Sequence, residues 1–260
     1  MNSDAATPGR DEVSALARGI AVLRAVADSL QPLSNRELAD ATGIPKATVS
    51  RLAATLVSTG LLRHSLESER YSLGPASLHL GNAYLRNFDF RAEARVHLAQ
   101  LAEMSGANVN LTLRDGLDML LIDTVRPRSV LIFSRMEVGS RMRIATSAAG
   151  RAYWSALPAA QRVALREEIR QAGGDACEQV LERLDAALEE SGRLGFCTSF
   201  GEWHPEIHAL GFSLQGPRGD LYAVSVGGPA YKLPKDWLLQ EVAPHLLETR
   251  RAIERELGLP

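Results

Sequence analysis

Residues 34–52 read SNRELADATGIPKATVSRL, and this stretch predicts two short helices joined by a tight turn. Ser34 and Glu37 form a Ser-x-x-Glu capping box that starts the first helix, and Thr42-Gly43 ends it. Pro45 suits the first turn of the second helix, where its missing N–H costs nothing. The second helix carries small or cationic residues opposite its apolar positions. That side could be an ordinary solvated surface, or it could face another molecule.

The second predicted helix, residues 45–58, has one apolar face and one face that suits a nucleic acid. Apolar residues at positions i, i+3 and i+7 from Val49 bury the first face. The other face combines small residues with Lys46 and Arg51, which can contact phosphate or guanine in a major groove. No acidic residue occurs between Ala41 and Leu66, as expected for a surface that faces a polyanion.

Two strand-like segments, residues 61–64 and 70–73, flank the polar loop SLESE and predict a β-hairpin. A helix-turn-helix followed by such a hairpin, or wing, binds DNA by placing its second helix in the major groove. A small helical bundle with a solvated polar face is the alternative, which the ordered series of capping, turn and hairpin signals disfavours. We therefore predict that DNA is contacted by Ser34, Lys46, Ala47, Thr48, Ser50, Arg51, Arg63, His64 and Arg70.

The composition is that of a globular protein and not of a basic nucleic-acid coat. The 260 residues carry a formal net charge of −2, so any charge that attracts DNA must be local. Cys177 and Cys197 form no CxxC pair, which predicts reduced thiols and no disulfide framework. The polar N-terminus lacks a signal-peptide core, and no apolar run approaches the ~18 residues of a membrane span. We expect a soluble, cytoplasmic protein with no membrane association.

The rest of the chain has a different pattern. Residues 75–105 are helical, with an interruption near residues 87–90, and their first half could connect two domains. Strands are predicted at 108–116, 117–127, 129–137, 196–199, 207–215 and 221–226, and helices at 147–156, 158–172, 178–191 and 235–257. This order predicts an α/β domain built on an antiparallel sheet.

The second half contains no GxSxG motif, no GxGxxG after a strand, no P-loop and no HExxH. Both cysteines are interpreted as packing residues. An enzyme that acts on a small acid stays open as an alternative function. Its polar groups would be His204, His208, Glu202 and Ser225, which match no recognised catalytic arrangement. A third hypothesis is an interaction adaptor whose Lys46–Arg51 face binds an acidic partner.

Two further segments could meet a small molecule. Residues 145–150 are small and begin a helix, so their N–H groups could receive a carboxylate, or the segment could simply pack closely on a sheet. Arg126 and Arg128 flank Pro127 in a turn, where two cations could attract an anion. A solvated turn is the favoured interpretation of this pair.

The polar segment 202–208 has three interpretations. His204 and His208, with the neighbouring glutamates, could hold a metal. Pro205 disfavours the continuous helix that such ligands would need, so no metal is predicted. The segment could also be an aromatic lid over a ligand, formed by Trp203 and Phe200, or a plain surface loop.

The chain resembles the IclR family of bacterial transcriptional regulators. The segments SALARGIAVLRAVADS, LSNRELADATGIPKATVSRLAATLVSTGLL and RYSLGPASLHLG look like the N-terminal region of that family. The segments GSRMRIATSAAGRAYWSALP, SFGEWHPEIHALGFSL and DLYAVSVGGPAYKL look like its effector-binding domain. The resemblance is collinear over about residues 14–257.

The resemblance implies an α+β protein with an N-terminal winged helix-turn-helix domain, joined by a linker helix to a GAF-like α/β effector-binding domain. We expect a disordered tail at 1–13, the DNA-binding domain at 14–74, the linker helix at 75–90 and the effector-binding domain at 91–260. The implied partners are double-stranded operator DNA, a small-molecule effector and further copies of the chain, as a homodimer or a dimer of dimers. No cofactor is expected, and activation and repression both stay open.

The resemblance also implies a ligand pocket on one side of the sheet. In relatives, small carboxylates or aromatic compounds bind there. Carried over position by position, with Trp203 added as the lid, the pocket is expected at Ser134, Met142, Ala148, Ala149, Trp203, His208, Ser225 and Gly227. Gly227 stands where some relatives have serine, so one polar contact would be missing. The expected effector is a small aromatic or short aliphatic acid.

Overall fold

The computed structural model describes residues 13–86, 90–128, 136–172 and 177–258. The chain divides into two compact units, residues 1–87 and residues 88–260. In the described part of the chain, no helix is long and apolar enough to cross a membrane.

The first unit is a three-helix core with a small sheet and a fourth helix. Its elements are α1 (Ser14–Asp28), β1 (Leu33–Ser34), α2 (Asn35–Thr42), α3 (Lys46–Ser58), β2 (Leu62–Ser65), β3 (Arg70–Leu73) and α4 (Pro75–Leu85). Helices α1, α2 and α3 pack on one another around the buried residues Val22, Val26, Leu38, Ile44, Val49, Ala53, Leu62 and Tyr71. The predicted helix-turn-helix and hairpin are confirmed.

Local signals set the boundaries of α2 and α3. The capping box is present, with the Ser34 side chain accepting from the Glu37 N–H and the Glu37 carboxylate accepting from the Ser34 N–H. Gly43 ends α2 in the left-handed region, at φ 67°, where a residue without Cβ is favoured. Pro45 differs from the prediction, because it precedes α3 in an extended conformation and does not lie in the first turn.

The hairpin becomes part of a three-stranded antiparallel sheet of order β1-β3-β2. Leu33 pairs with Tyr71, and Ser34 pairs with Arg70. The sequence analysis missed β1 because a two-residue strand has no visible alternation. This strand places the start of α2 directly beside the wing.

The second unit is a six-stranded antiparallel sheet with helices on both faces. Its elements are α5 (Phe90–Ser105), β4 (Asn108–Asp115), β5 (Asp118–Val125), β6 (Arg141–Arg143), α6 (Ala148–Ala156), α7 (Ala159–Ala172), α8 (Cys177–Leu194), β7 (Cys197–Phe200), β8 (Ile207–Gln215), β9 (Leu221–Pro229), α9 (Lys235–Trp237), a π-helical turn (Leu238–Val242) and α10 (Ala243–Glu256). The strand order is β6-β5-β4-β9-β8-β7. The predicted strand at 129–137 falls largely on residues 129–135, which lie outside the described residues.

One continuous final helix was predicted at residues 235–257. The structure instead shows a π-helical turn between α9 and α10. Pro244 lies in the first turn of α10 and has no N–H to donate to the preceding turn. A local i→i+5 register accommodates such an interruption. Short strand β6 was also missed, because three residues carry too little alternation to be recognised.

Helix α6 approaches the sheet closely because two glycines lie at its contacts. A Cβ at Gly211, on β8, would lie 2.6 Å from the Ala148 carbonyl oxygen. A Cβ at Gly150, in α6, would lie 2.3 Å from Ile144 backbone atoms. Only glycine fits at these two positions, so they fix the start of α6 against the middle of the sheet.

We expect Gly211→Ala to lower the free energy of unfolding by about 1–3 kcal/mol, since the added methyl overpacks a backbone contact. The matched control is Gly192→Ala. Gly192 lies on an exposed part of α8, and a Cβ added there would have no other atom within 4 Å, so alanine should stabilise that helix by about 0.5–1 kcal/mol. Urea unfolding followed by circular dichroism measures both. If both substitutions changed the free energy of unfolding equally, the close approach of α6 to β8 would be contradicted.

Candidate nucleic-acid interface and ligand pocket

The start of α3 is an exposed, positively polarised helix end. Thr48 and Val49 both donate their N–H groups to the Pro45 carbonyl, at 2.8 and 3.0 Å, and no side chain caps the helix. Within the described residues, the N–H groups of Lys46 and Ala47 have no hydrogen-bond acceptor. An uncapped helix start of this kind suits a phosphate, because free N–H groups and the helix dipole both favour an anion.

The side chains around this end follow the predicted division of faces. Val49 and Ala53 are buried, whereas the outward side of α3 is exposed at Lys46, Ala47, Ser50 and Arg51 and half-buried at Thr48. The structure therefore brings five of the predicted DNA contacts together on one surface of one helix.

Asn35 joins the two helices of the motif. Its Nδ2 donates to the Lys46 carbonyl oxygen at 3.2 Å, which connects the first turn of α2 to the first turn of α3. The Asn35 Oδ1 is buried and accepts no hydrogen bond from the part of the chain that the structure describes. The sequence analysis did not single out Asn35, because an asparagine that follows a cap residue resembles any first-turn polar residue.

Arg70 has hydrogen-bond partners within the first unit. It was predicted to lie near a DNA backbone, but its Nη1 donates to the Pro32 carbonyl at 2.6 Å and to Glu37 at 3.0 Å, and its Nη2 donates to Glu37 at 3.3 Å. The β1–β3 pairing places Arg70 beside Ser34 and thus beside the capping box. Arg70 holds the wing to the start of α2.

The carboxylate of Glu37 is held ionised by this arrangement. Its pKa is lowered chiefly by the hydrogen bond from the Ser34 N–H, then by the Ser34 hydroxyl and the nearby Arg70. Ser34 itself is occupied as the cap, with its Oγ accepting from the Glu37 N–H at 3.3 Å. In the wing, Arg63 and His64 are exposed, and the His64 ring lies 4.6 Å from the Tyr71 ring.

The second unit contains a pocket between the sheet and the start of α6. It encloses about 510 Å³ between its walls, with the open mouth included. The lining consists of Asn108, Asn110, Met136, Met142, Ser147, Ala148, Ala149, Ser199, Trp203, Ile207, Ala209, Ser225, Gly227 and Gly228. Six of the predicted effector contacts are in this set: Met142, Ala148, Ala149, Trp203, Ser225 and Gly227.

His208 requires a correction, because strand alternation turns it away from the pocket. Its neighbours Ile207 and Ala209 line the pocket, while the His208 Nδ1 lies 2.9 Å from the Leu233 carbonyl oxygen. Successive side chains of a strand point to opposite faces, so a residue between two lining residues faces the other side. Phe200, proposed as part of a lid, contacts the His208 ring at 5.2 Å and is absent from the lining.

Ser134 is the eighth expected pocket residue, and Gly227 is a lining residue whose packing is unusually close. Ser134 lies outside the described residues. At Gly227, an added Cβ would lie 2.7 Å from the Ala209 Cβ and 2.8 Å from the His208 carbonyl oxygen. Glycine at this position therefore reflects close packing between β8 and β9, and a serine there would need this packing to shift.

Backbone N–H groups are available where α6 begins. Ser147 caps the helix by accepting from the Gly150 N–H at 3.1 Å, and the Arg151 N–H donates to the Ser147 carbonyl at 3.0 Å. The N–H groups of Ala148 and Ala149 find no acceptor among the described residues. Together with the helix dipole, they can receive a carboxylate in the pocket.

Sequence reasoning missed the polar residues of β4 that line the pocket. Asn108 and Asn110 lie on one face of that strand, together with Thr112. The alternation of polar and apolar residues in NVNLTL carried this signal. It was used only to predict a strand, because a polar strand face more often faces solvent.

Trp203 belongs to a loop that is attached to α6 by an ion pair between the buried Arg151 and the solvent-exposed Glu202. Arg151 is 5% exposed, and its Nη1 donates to the Thr198 carbonyl at 2.7 Å and to the Glu202 carboxylate at 3.3 Å. Glu202 also accepts from the Phe200 N–H. Burial by itself would raise the pKa of Glu202, but the charge of Arg151 and these hydrogen bonds lower the pKa below its usual value.

The thiol and imidazole groups near the pocket have other surroundings. Burial raises the pKa of the Cys197 thiol to about 11, so the thiol is protonated near neutral pH. His204 accepts from the Glu206 N–H at 3.3 Å, on a loop apart from the face that holds His208. Within the ranges that the structure describes, no three His, Cys, Asp or Glu side chains form a group that could hold a metal.

Arg126 is not the fully solvated turn residue that the sequence analysis favoured. Its Nη2 donates to the Met136 carbonyl at 2.8 Å, and its Nε is buried with no partner among the described residues. Arg128 is exposed, and its backbone N–H donates to Glu103 at 3.0 Å. Arg126 thus supports Met136, a residue of the pocket wall.

Comparisons with known proteins cover both units. Residues 15–65 match the IclR helix-turn-helix domain, and residues 82–255 match the bacterial transcriptional regulator IclR C-terminal domain. The chain is 28% identical over 252 residues to the HTH-type transcriptional regulator TsaQ1/TsaQ2 of Comamonas testosteroni, covering 96% of this chain and 90% of that protein.

Solved structures with the same fold extend this comparison. An IclR family transcriptional regulator from Brucella abortus is 34% identical, with a TM-score of 0.86 over 100% of this chain and 97% of that chain. An IclR homolog from Microbacterium hydrocarbonoxydans, complexed with 4-hydroxybenzoate, is 19% identical, with a TM-score of 0.70 over 94% of this chain and 99% of that chain.

We expect Glu202→Gln to lower the free energy of unfolding by about 1 kcal/mol at neutral pH, since the buried Arg151 loses a charged partner that solvent partly screens. The folded-state pKa of Glu202 is lowered from 4.5, so its contribution is present above that pH and is lost as the pH falls through the folded-state pKa. The difference between wild type and variant should therefore shrink in acid.

Urea unfolding between pH 7 and pH 3 measures this difference, with Glu206→Gln, an exposed change in the same loop, as control. If the difference in the free energy of unfolding between wild type and Glu202→Gln stayed constant over this pH range, the role assigned to the ion pair would be contradicted.

Proposed function

This chain belongs to the IclR family of bacterial transcriptional regulators, and from that premise we propose that it is a ligand-responsive DNA-binding protein of the cytoplasm. In this proposal, the N-terminal unit binds operator DNA, and a small organic acid in the pocket of the C-terminal unit alters that binding. The observation that carries the proposal is the exposed, uncapped start of α3 within a segment that has no acidic residue.

DNA contact by α3 follows from what its first two turns offer. The free N–H groups of Lys46 and Ala47 and the Lys46 ammonium suit one phosphate, which would fix the helix in register. Arg51 lies farther along the same exposed face and can reach a guanine edge or a second phosphate. The small side chains of Ala47 and Ser50 let the backbone approach the groove.

Two copies of the chain would provide two recognition helices. A single winged helix-turn-helix makes few contacts, so dimers that bind two half-sites are the usual solution. The first unit exposes apolar side chains that a second copy could cover: Leu16 at 63%, Ile20 at 41%, Leu78 at 68% and Leu80 at 58% exposure. Sedimentation velocity over a range of concentrations tests this assembly, and a monomer at all concentrations would contradict it.

An organic acid suits the pocket because its free polar groups are neutral donors. No charged side chain is among the lining residues that the structure describes. The N–H groups of Ala148 and Ala149 can hold a carboxylate, and Met142, Trp203 and Ile207 supply apolar walls for the remainder of the ligand. The complex of the Microbacterium homolog with 4-hydroxybenzoate supports an aromatic acid as the ligand.

The ligand acts on DNA binding, and the pocket is not proposed to catalyse a reaction. The lining residues include no histidine, cysteine, aspartate or glutamate among those described, and the nearby Cys197 thiol is protonated. A ligand shifts a conformational equilibrium only by its difference in affinity for the two states. The effector would therefore bind the DNA-competent and DNA-incompetent arrangements unequally.

We expect Arg51→Ala and Lys46→Ala each to weaken binding of the upstream promoter DNA, because each removes a contact with the polyanion. Losing one phosphate contact should reduce the slope of log affinity against log salt by about 1, and losing a base contact should cost about 1–3 kcal/mol. Fluorescence anisotropy at several salt concentrations measures both effects.

The matched control for DNA binding is Arg218→Ala, which removes the same charge from the exposed turn between β8 and β9. It should leave affinity and salt slope unchanged. If the α3 variants behave like Arg218→Ala, the assignment of α3 to the groove is wrong.

We expect at least one of 4-hydroxybenzoate, benzoate, glyoxylate and propionate to raise the thermal midpoint of the full-length chain. A ligand at about 100 times its Kd stabilises the folded state by about 2.7 kcal/mol. Ala209→Phe should abolish this shift, since Ala209 lines the pocket and a phenyl group would fill it. Thermal shifts that persist in a folded Ala209→Phe variant would place the ligand elsewhere.

A further inference from the structure

Some polar side chains of the pocket already donate their protons in hydrogen bonds within the protein, and others do not. The Ser147 hydroxyl donates to the Arg143 carbonyl at 2.8 Å, and the Ser199 hydroxyl donates to the Thr146 carbonyl at 2.8 Å. Each of these hydroxyls has one proton, so neither can donate to a ligand. The side-chain donors that can be offered to a ligand must therefore come from other lining residues.

Asn110 is held in one orientation by its neighbour on β5. The Thr124 hydroxyl donates to the Asn110 Oδ1 at 2.9 Å, which occupies the acceptor end of the amide. The Asn110 Nδ2 makes no hydrogen bond within the described residues and belongs to a side chain that lines the pocket. The two N–H donors of the amide are therefore free to bind a ligand in the pocket.

Ser225 offers a second donor beside Asn110. The two residues pair directly across β4 and β9, and residues opposed in this way have Cβ atoms about 4.5–5.5 Å apart. Ser225 is 4% exposed, and its hydroxyl has no hydrogen-bond partner in the part of the chain that the structure describes. One acceptor oxygen of a ligand could therefore be shared by the Asn110 amide and the Ser225 hydroxyl.

This donor pair lies at some distance from the start of α6. Ser225 also pairs with Gly211 on β8, and Gly211 lies beneath the Ala148 carbonyl. Asn110 is thus two strand spacings, about 10 Å, from the point where α6 meets the sheet. A ligand whose carboxylate lies at the N–H groups of α6 would place a second oxygen at Asn110 if a flat ring separated the two.

We propose that Asn110, oriented by Thr124, is the specificity-determining residue of this pocket. Its amide N–H groups donate hydrogen bonds to an oxygen substituent at the end of the ligand that is remote from the carboxylate. This inference rests on the proposed function and narrows its ligand class to ring-hydroxylated or ring-oxo aromatic acids. A ligand that lacks the second oxygen leaves the Asn110 N–H groups buried without a partner, which penalises its binding.

The test uses a matched pair of ligands with the full-length chain. 4-Hydroxybenzoate carries the second oxygen and benzoate lacks it, so the ratio of their Kd values, measured by isothermal titration calorimetry, reports the contact. We expect the wild type to bind 4-hydroxybenzoate about tenfold to a hundredfold more tightly than benzoate.

Three variants separate the role of Asn110 from general effects on the pocket. Asn110→Leu keeps the branched shape without donors, and it should bring the Kd ratio to about 1 while benzoate still binds. Thr124→Val removes the hydroxyl that orients the amide, and it should lower the ratio in the same direction. Thr124→Ser keeps that hydroxyl and should retain the wild-type ratio, with thermal unfolding reporting that each variant is folded.

Several outcomes would overturn the inference. These are equal affinity of the wild type for both ligands, a wild-type ratio in Asn110→Leu, and equal ratios in Thr124→Val and Thr124→Ser. Binding of short aliphatic acids but of neither aromatic acid would overturn the inference and leave the proposed function intact. Failure of every acid tested to bind the wild type would count against the proposed function as well.

Discussion

The contact between the first turn of α6 and strand β8 sets the geometry of the second unit. It exists because position 211 has no side chain, and a methyl group there would collide with the Ala148 carbonyl. The contact places the start of α6 over strand β8, so that its free N–H groups line the same pocket as the polar side chains of β4 and β9. The position of α6 over the sheet, and with it the position of the donor groups in the pocket, depends on this contact.

Both proposed binding surfaces use the free N–H groups at the start of a helix, but the two helix starts have different surroundings. In the first unit, the start of α3 is exposed and stands beside Lys46 and Arg51, which suits a large polyanion that stays hydrated. In the second unit, the start of α6 is buried, and the described pocket lining beside it contains no charged side chain, which suits a small anion removed from water. The difference in burial and in local charge separates a DNA-binding face from a ligand pocket.

The sequence predicted well wherever local signals decide the structure. The capping box and Gly43 set the two ends of α2, and Pro45 immediately precedes α3, so local signals mark the helix boundaries of the motif. The pocket was predicted less well, because strand parity is a tertiary property: His208 alternates with Ile207 and Ala209 and so lies on the opposite face. The pairing of Arg70 with the capping-box Glu37 was not predicted, because the two residues are brought together only through the two-residue strand β1.

The central claim is that one small acid and one DNA site are coupled through this chain. The most direct test measures promoter-DNA affinity without ligand and at a saturating concentration of the acid that most stabilises the chain. We predict that the Kd for DNA changes about 5- to 150-fold, and that DNA changes the Kd of the acid by the same factor. An unchanged Kd for DNA, with the acid shown to occupy the pocket, would contradict the account.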